Sequence, residues 1–232
     1  MVDYNKLNTE SFSTPEAVRD YSGSYLRSGE EYVIKKYASA GKKTLDLGCG
    51  TGRTTAPIKK RGAEVIGVDV SAPMVEKARD FHPDVDFEVM DALDLRFPDN
   101  HFDFVFFSFN GLDNLHPVSK RLKAMKEIRR VLKEGGIFAY SSHNSLALPR
   151  TLFGWRAFLR NLFRLRIGPH YRRENHGFGE LFQYYDNIFS EKKLVKSAGF
   201  DFTEIVSNGK VARLPKFLQF FLERFPMYIA KK

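Results

Sequence analysis

Thr44-Leu45-Asp46-Leu47-Gly48-Cys49-Gly50-Thr51-Gly52-Arg53 decides the reading of this chain. An apolar run stops at a glycine turn, and a helical pattern follows. That is a strand–loop–helix unit, which brings backbone N–H groups against a small ligand. The glycines are spaced G-x-G-x-G. The dinucleotide fingerprint wants its third glycine where Arg53 stands, so the loop points away from NAD. Outward from it, the 232 residues suit one α/β domain with an inserted lobe. A hydrophobic content of 43% is enough to bury a full core. The single cysteine, Cys49, excludes an internal disulfide and leads us to expect a reduced, cytoplasmic setting. No stretch has the apolar length to span a bilayer, and Met1-Val2-Asp3-Tyr4-Asn5-Lys6 has no signal-peptide pattern.

Strand and helix patterns alternate along the chain. Residues 14–40 read as helical, with Thr14-Pro15-Glu16 as the start. Strands are expected at Thr44–Leu47, Glu64–Asp69, Val85–Met90, Phe102–Phe107 and Ile137–Ser142. Helices are expected at 51–61 (closed by Gly62), at 71–81 (capped by Ser71), and from Pro117 to Leu132 (closed by Gly135-Gly136). The alternation predicts a doubly wound, mostly parallel sheet covered on both faces. It breaks after His143 and returns with a helix near 190–198 and strands near 200–206 and 226–231. The expected organisation is an N-terminal helical region (1–40), a ligand-binding core (41–144), a lid or substrate insertion (145–187) and a C-terminal return to the core sheet (188–232).

In open sheets of this kind, ligands sit beyond the carboxyl ends of the strands, where strand order reverses. Loop 48–52 therefore occupies the crevice, with Gly50 allowing close backbone approach. The second strand ends at Asp69, placed to grip vicinal ribose hydroxyls as a double acceptor. The third ends at Met90-Asp91-Ala92, where a carboxylate can accept from an exocyclic amine. The fourth ends at Phe107-Ser108-Phe109-Asn110-Gly111, putting polar atoms near a reacting centre. Acids at successive strand ends describe a ligand with an amino-acid tail, a ribose and an adenine. Asp69 alone could equally cap the 71–81 helix.

The ordered set resembles the class I S-adenosylmethionine-dependent methyltransferases over roughly residues 40–145. That resemblance implies a seven-stranded Rossmann-like sheet whose last strand runs antiparallel beside the fifth and sixth. It implies S-adenosylmethionine as cofactor and a cytoplasmic enzyme. By it Gly48, Gly50 and Gly52 match the glycines of the first motif, and Asp46 the acid facing the methionine portion. Asp69 matches the ribose acid, Asp91-Ala92 the adenine-side pair, and Met74 an apolar flank of the adenine. Cofactor contact then extends to Tyr21, Cys49, Thr51, Val70, Leu93, Phe107 and Ser108, with Tyr21 and Tyr25 closing over the carboxylate. Leu132-Lys133-Glu134-Gly135-Gly136 matches the turn before the fifth strand. Ser108-Phe109-Asn110-Gly111 with Ser141-Ser142-His143-Asn144 resembles a bacterial and archaeal subgroup acting on small molecules.

Methyl transfer is an in-line displacement whose rate comes mostly from alignment, and a base is needed only if the nucleophile carries a proton it cannot shed. His143 and Tyr184 are the expected catalytic groups, with His116 and Tyr185 as further candidates. A hydrogen-bonded structural role competes for each. Metal use is not expected, although Asp113-Asn114 with Asp46 or Asp91 would supply oxygen ligands.

The net charge of +9 is concentrated. Residues 145–173 hold seven arginines (150, 156, 160, 164, 166, 172, 173) and no acid. Arg156, Arg160 and Arg164 recur at helical spacing among Trp155, Phe158, Leu159, Leu162 and Phe163. Three readings compete: a helical lid with its arginines in water, a peripheral contact with anionic membrane, and nucleic-acid binding. The Asp/Asn-Pro-Pro-Tyr/Phe of base-amino methyltransferases is absent after the fourth strand, and the sole cysteine lies in the ligand loop. Both facts count against a nucleic-acid base as acceptor. The expected function is methyl transfer to an O or N atom of a small molecule, which could be acidic to suit the arginines. The alternative is a methyltransferase-like binding module docking on membrane or RNA through 150–173.

Overall fold

The computed structural model describes residues 2–23, 25–147 and 170–232, with Lys210 as backbone only. Three short helices lead in: α1 (Tyr4–Phe12), α2 (Pro15–Asp20) and α3 (Ser28–Tyr37). The core then runs β1 (Lys43–Leu47), α4 (Thr55–Lys60), β2 (Glu64–Asp69), α5 (Ala72–Phe81), β3 (Asp86–Val89), β4 (Phe102–Phe107), a 3-10 turn (Gly111–Asn114), α6 (Val118–Val131) and β5 (Leu132–Ser141). A hairpin of β6 (His170–His176) and β7 (Gly179–Tyr185) follows. The chain returns through α7 (Ile188–Ser197), β8 (Asp201–Val206), α8 (Lys216–Leu222) and β9 (Met227–Lys231).

The sheet order is β3-β2-β1-β4-β5-β9-β8. β1 pairs parallel with both β2 and β4, so the order reverses between β1 and β4, and the crevice opens at their carboxyl ends. β9 runs antiparallel to both its neighbours, β5 and β8, as the resemblance implied. β4, apolar but for Asp103 near its start, is buried along Phe104 to Phe107. One core cluster joins Leu45, Leu47, Val105, Met125, Ile128, Phe138 and Val195 under α6 and α7. The other joins Ile58, Val75, Phe104, Phe106 and Ile229 under α3, α4 and α5.

Several expectations are corrected. The helix expected over 14–40 is broken: α2 stops at Asp20, Tyr21 is its C-cap, and α3 starts afresh at Ser28. α1 falls within the expected N-terminal helical region, and Asp3 caps it by accepting from the N–H groups of Asn5 and Lys6. α4 begins at Thr55 rather than 51, because Gly50 and Gly52 hold positive φ angles of 54° and 89°. Gly135-Gly136 lie within β5, where the pairing with β4 shifts register. The described end of the expected lid, from 170 to 185, is a β-hairpin rather than a helix. The Arg156/Arg160/Arg164 stripe and Trp155 lie outside the described residues. Among the described residues, no helix is long and apolar enough to cross a membrane.

Candidate functional site

A cleft of about 380 Å³ opens over the β1–β4 crevice. That volume suits a single organic ligand of moderate size. One half is built by strand-end loops. Leu47 to Thr51 lie at the end of β1, Asp69 and Val70 at the end of β2, Met90 to Leu93 after β3, and Phe107 to Phe109 at the end of β4. Met74 enters from α5 and Tyr21 from the end of α2. The other half is lined by Asn5, Lys6, Asn8 and Thr9 of α1, by Asn114 and Leu115, and by Lys120 of α6.

Local chemistry fixes the first half. Asp69 organises its loops: Oδ2 accepts from Gly50 N–H at 2.9 Å and Oδ1 from Ser71 N–H at 2.9 Å. Burial pushes its carboxyl above the ordinary value, and the backbone donors at Ser71 and Gly50 oppose this. Each oxygen keeps a second lone pair for a ligand hydroxyl. Asp91 is exposed on the cleft wall, with Oδ1 accepting from Leu93 N–H at 2.9 Å. At Gly50, an added Cβ would meet no protein atom within 4 Å; the backbone there faces free space, which is where a ligand can approach it. At Gly48 the same atom would lie 2.6 Å from the Phe107 ring, so that glycine seats the ring as a cleft wall. Acids flanked by Met74, Leu93 and Phe107 match the donors and apolar face of a nucleoside with a charged arm.

Other expected residues lie elsewhere. Asp46 does not border the cleft. It is sealed beneath α4, accepting from the hydroxyls of Thr54 (2.7 Å) and Thr55 (2.6 Å), and burial pushes its pKa up to about 6. Gly52 is a packing glycine: a Cβ would lie 2.5 Å from His82. Cys49 borders the cleft but is buried, and burial drives its thiol well above its ordinary value. Thr51 ties the loop to the N-terminal region through its hydroxyl on Tyr21 O, at 2.9 Å. Burial pushes the Tyr21 phenol up to about 12, keeping it a neutral donor. The Tyr25 ring is 62% exposed and outside the cleft lining.

Neither expected catalytic group borders the cleft. His143 is buried behind it, with Nδ1 2.7 Å from Asp113 Oδ2 and its ring against Tyr185 and Phe225. The Tyr184 hydroxyl donates to Asp186 at 2.8 Å, and its ring lies 4.1 Å from the Arg121 guanidinium. Burial pushes that phenol well above its ordinary value. His116 packs edge-on against Tyr4 and Tyr171. Tyr185 donates to Glu174. Asp113 is spent inside the protein on Arg121 Nη2, Ser142 Oγ and the His143 N–H and ring. Among the described residues, no group of three or more His, Cys, Asp or Glu is placed to hold a metal ion.

Other residues emerge only in three dimensions. Glu30, 2% exposed, takes both terminal nitrogens of Arg53 at 2.8 and 2.7 Å and the Ser108 hydroxyl at 2.9 Å. Burial opposes its charge, but Arg53 outweighs this and holds the carboxyl below its ordinary value. Phe109 and Asn110 have φ of 57° and 62°, a left-handed pair of non-glycine residues at the cleft rim. Such residues cost on the order of 1–3 kcal/mol each. The Asn110 N–H bond to Ser141 Oγ and the guanidinium groups of Arg27 and Arg53, 4.3 and 4.7 Å from the Phe109 ring, hold them. Phe109 and Asn110 were expected after the fourth strand, but nothing in the sequence marks their left-handed backbone, and Glu30 carries no sign that sets it apart from Glu31.

α1 is clamped as the far wall. The Asn8 side chain donates to Asn114 O (2.8 Å) and Phe182 O (2.9 Å) and accepts from Phe182 N–H (2.8 Å). Asn5 makes a matching pair with His116 N–H and O. Ser11 Oγ donates to Glu180 O. Tyr4 stacks on Phe182 at 3.8 Å.

Residues 44–136 match the family model of a methyltransferase domain. This segment spans less than half of the chain. It contains the glycine loop, Asp69, Asp91 and the end of β4, which together make the first half of the cleft. The demethylmenaquinone methyltransferase of Paenarthrobacter aurescens is 40% identical over 115 residues, covering 49% of this chain and 44% of that protein. The chain spans about half the length of the curated relatives it matches. The solved CcbJ methyltransferase of Streptomyces caelestis has the same fold, with a TM-score of 0.68 at 18% identity over 99% of both chains. So does the [4+2]-cyclase SpnF, with a TM-score of 0.63 at 18% identity over 99% of this chain and 94% of that one. The likeness to these two structures is one of fold, and the function of this chain has to be argued from its site.

Proposed function

We propose that this protein transfers a methyl group from S-adenosylmethionine to a small-molecule acceptor. The observation carrying this is the ordered lining of the cleft by Gly48 to Thr51, Asp69 and Asp91 to Leu93 over the β1–β4 crevice. When bound, the cofactor supplies an electrophilic methyl on a sulfonium. Asp69 would hold the ribose hydroxyls through its free lone pairs, and Asp91 with Ala92 the adenine edge. Met74 and Leu93 would flank the ring. The open backbone at Gly50 would admit the amino-acid arm, and Tyr21 would donate to it as a neutral phenol. Cys49, Thr51, Val70, Phe107 and Ser108 complete the wall.

The chain's own work is then alignment and exclusion of water. Pinning α1 and seating Phe107 fix the acceptor's approach, and alignment can contribute up to about 7–11 kcal/mol in ideal cases. His143, Tyr184 and Tyr185 face into the protein, so we assign them to support of the wall rather than to proton removal. The acceptor would arrive ionised, or release its proton to bulk solvent after transfer. The relatives' name makes a demethylated quinone an acceptor to test beside carboxylated metabolites, in a cytoplasmic setting.

Isothermal titration with S-adenosylhomocysteine tests the reading. We expect sub-millimolar binding by the wild type and its loss in Asp69→Ala. A wild type that gives no heat sinks it. Incubating a metabolite extract with labelled cofactor would then identify the acceptor.

A further inference from the structure

An exposed face lies outside the cleft. Residues Ala212 through Phe217 are exposed at every position, and Phe221 and Arg224 follow them into solvent. Phe217 and Phe221 lie one turn apart on α8 and are 63% and 43% exposed. Leu214, just before the helix, adds to the same apolar patch. Arg213, Lys216 and Arg224 border it, with Lys216 reaching Ile205 O at 3.5 Å.

The acid and the amide of this segment are turned inward. Glu223 is buried, accepting from Asn208 N–H with one oxygen and Phe225 N–H with the other. Gln219 is buried too, donating to Ala212 O and Leu214 O and accepting from Ser207. These groups pin the helix to the body. What is left outside is apolar and cationic only, an arrangement that marks an interaction site rather than a solvated face.

The patch also has a defined position. Asn144, just beyond β5, donates its amide to Phe220 O at 2.7 Å and Glu223 O at 2.9 Å. The Phe225 ring meets His143 edge-on and lies 5.0 Å from the Arg27 guanidinium, which also sits over the cleft residue Phe109. α8 therefore sits at the carboxyl end of the sheet, the end on which the cleft opens.

We propose that this face docks the protein on an anionic lipid surface. Leu214, Phe217 and Phe221 enter the boundary between headgroups and acyl chains, while Arg213, Lys216 and Arg224 meet headgroup phosphates. A second copy of the chain fits less well, because an isologous pairing would bring the cations of both copies together with no outward acid between them.

Co-sedimentation tests this with vesicles of phosphatidylcholine alone or mixed with phosphatidylglycerol, at low and high salt. We expect partition onto the mixed vesicles at low salt, at least about tenfold weaker on phosphatidylcholine alone and weakened by salt. Phe217→Ser/Phe221→Ser and Arg213→Glu/Lys216→Glu should each cut partition at least about tenfold, with S-adenosylhomocysteine affinity unchanged. The charge reversals lie at exposed positions and keep the test readable if the paired serines disturb folding. Wild type remaining in solution beside anionic vesicles overturns the proposal, as do variants that partition like the wild type. Light scattering that finds a wild-type dimer and a monomeric Phe217→Ser/Phe221→Ser variant assigns the face to a second copy instead.

Discussion

The two halves of the cleft are built by different means. On the first, short loops after consecutive strands place backbone atoms and single carboxylates, with local bonds such as Asp91 to Leu93 and Asp69 to Ser71 setting the carboxylates. On the second, side chains from distant segments clamp one another: Asn8 grips Asn114 and Phe182, and Ser11 grips Glu180. Behind that wall sits a buried charge cluster. Arg121, fully buried, contacts Asp113 at 3.0 Å, Glu191 at 2.9 Å and Leu112 O at 3.2 Å. The Tyr140 hydroxyl donates to the same Glu191 at 2.9 Å. The lesson is that one half tolerates change locally, while the other stands or falls as a network.

The sharpest way to break this contrast is at Arg121. Arg121→Met leaves Asp113 and Glu191 buried without their cation, and removing one partner of such a set costs about 3–5 kcal/mol. Urea unfolding should register that loss. A change of less than about 1 kcal/mol would mean the cluster does not support the wall. Next in size, Asp69→Ala should weaken S-adenosylhomocysteine binding about a hundredfold, which is about 2.7 kcal/mol, a loss larger than the one in stability from the stranded N–H groups of Gly50 and Ser71. Asn8→Ala should do the converse. It strands backbone groups of Asn114 and Phe182, and should lower stability by about 2 kcal/mol. Cofactor affinity should stay within about twofold of wild type, since Asn8 touches only the far wall. Equal effects of both substitutions on both readouts would erase the distinction.

The smallest effect is a pH dependence under the first half. The folded pKa of Asp46, about 6, lies above its ordinary 3.8, so the native state binds the extra proton between those values. Its contribution to stability is present below the lower value and is lost as pH rises through the upper one. Between pH 5 and 7.5 the wild type should lose about 1.4 kcal/mol from this group, and Asp46→Asn should not. Urea midpoints at the two pH values decide it. A parallel pH profile for the two proteins would place the Asp46 proton elsewhere.

The same contrast explains what could be read from the chain. The places of Gly48, Gly50, Asp69 and Asp91 on the cleft wall were legible because strand ends recur at short, regular spacing. The helix over 71–81 was legible from Ser71 and Pro73 alone. Asn5 and Asn8 were not, since two asparagines near the start of a chain say nothing of partners at His116 and Phe182. The β6–β7 hairpin was missed because aromatic and arginine residues dominate it with no alternation. Asp46 misled because its place at the end of β1 suits a ligand, while Thr54 and Thr55, which claim it, look like ordinary loop residues. His143 misled likewise: its position after β5 is right for the cleft, but Asp113 turns the ring inward.

The placement of β9 has a consequence for the making of this protein. β8 joins the sheet only through β9, and β9 lies against β5. During synthesis, β5 must therefore wait with one side unpaired until the chain has reached Met227. Its Phe138, Ala139 and Tyr140 are among the most deeply buried residues of the finished molecule. An open strand edge backed by such residues invites pairing with other chains. A nascent molecule halted before β9 would be a half-closed sheet with an adhesive side, the stage at which a chaperone would have most to do.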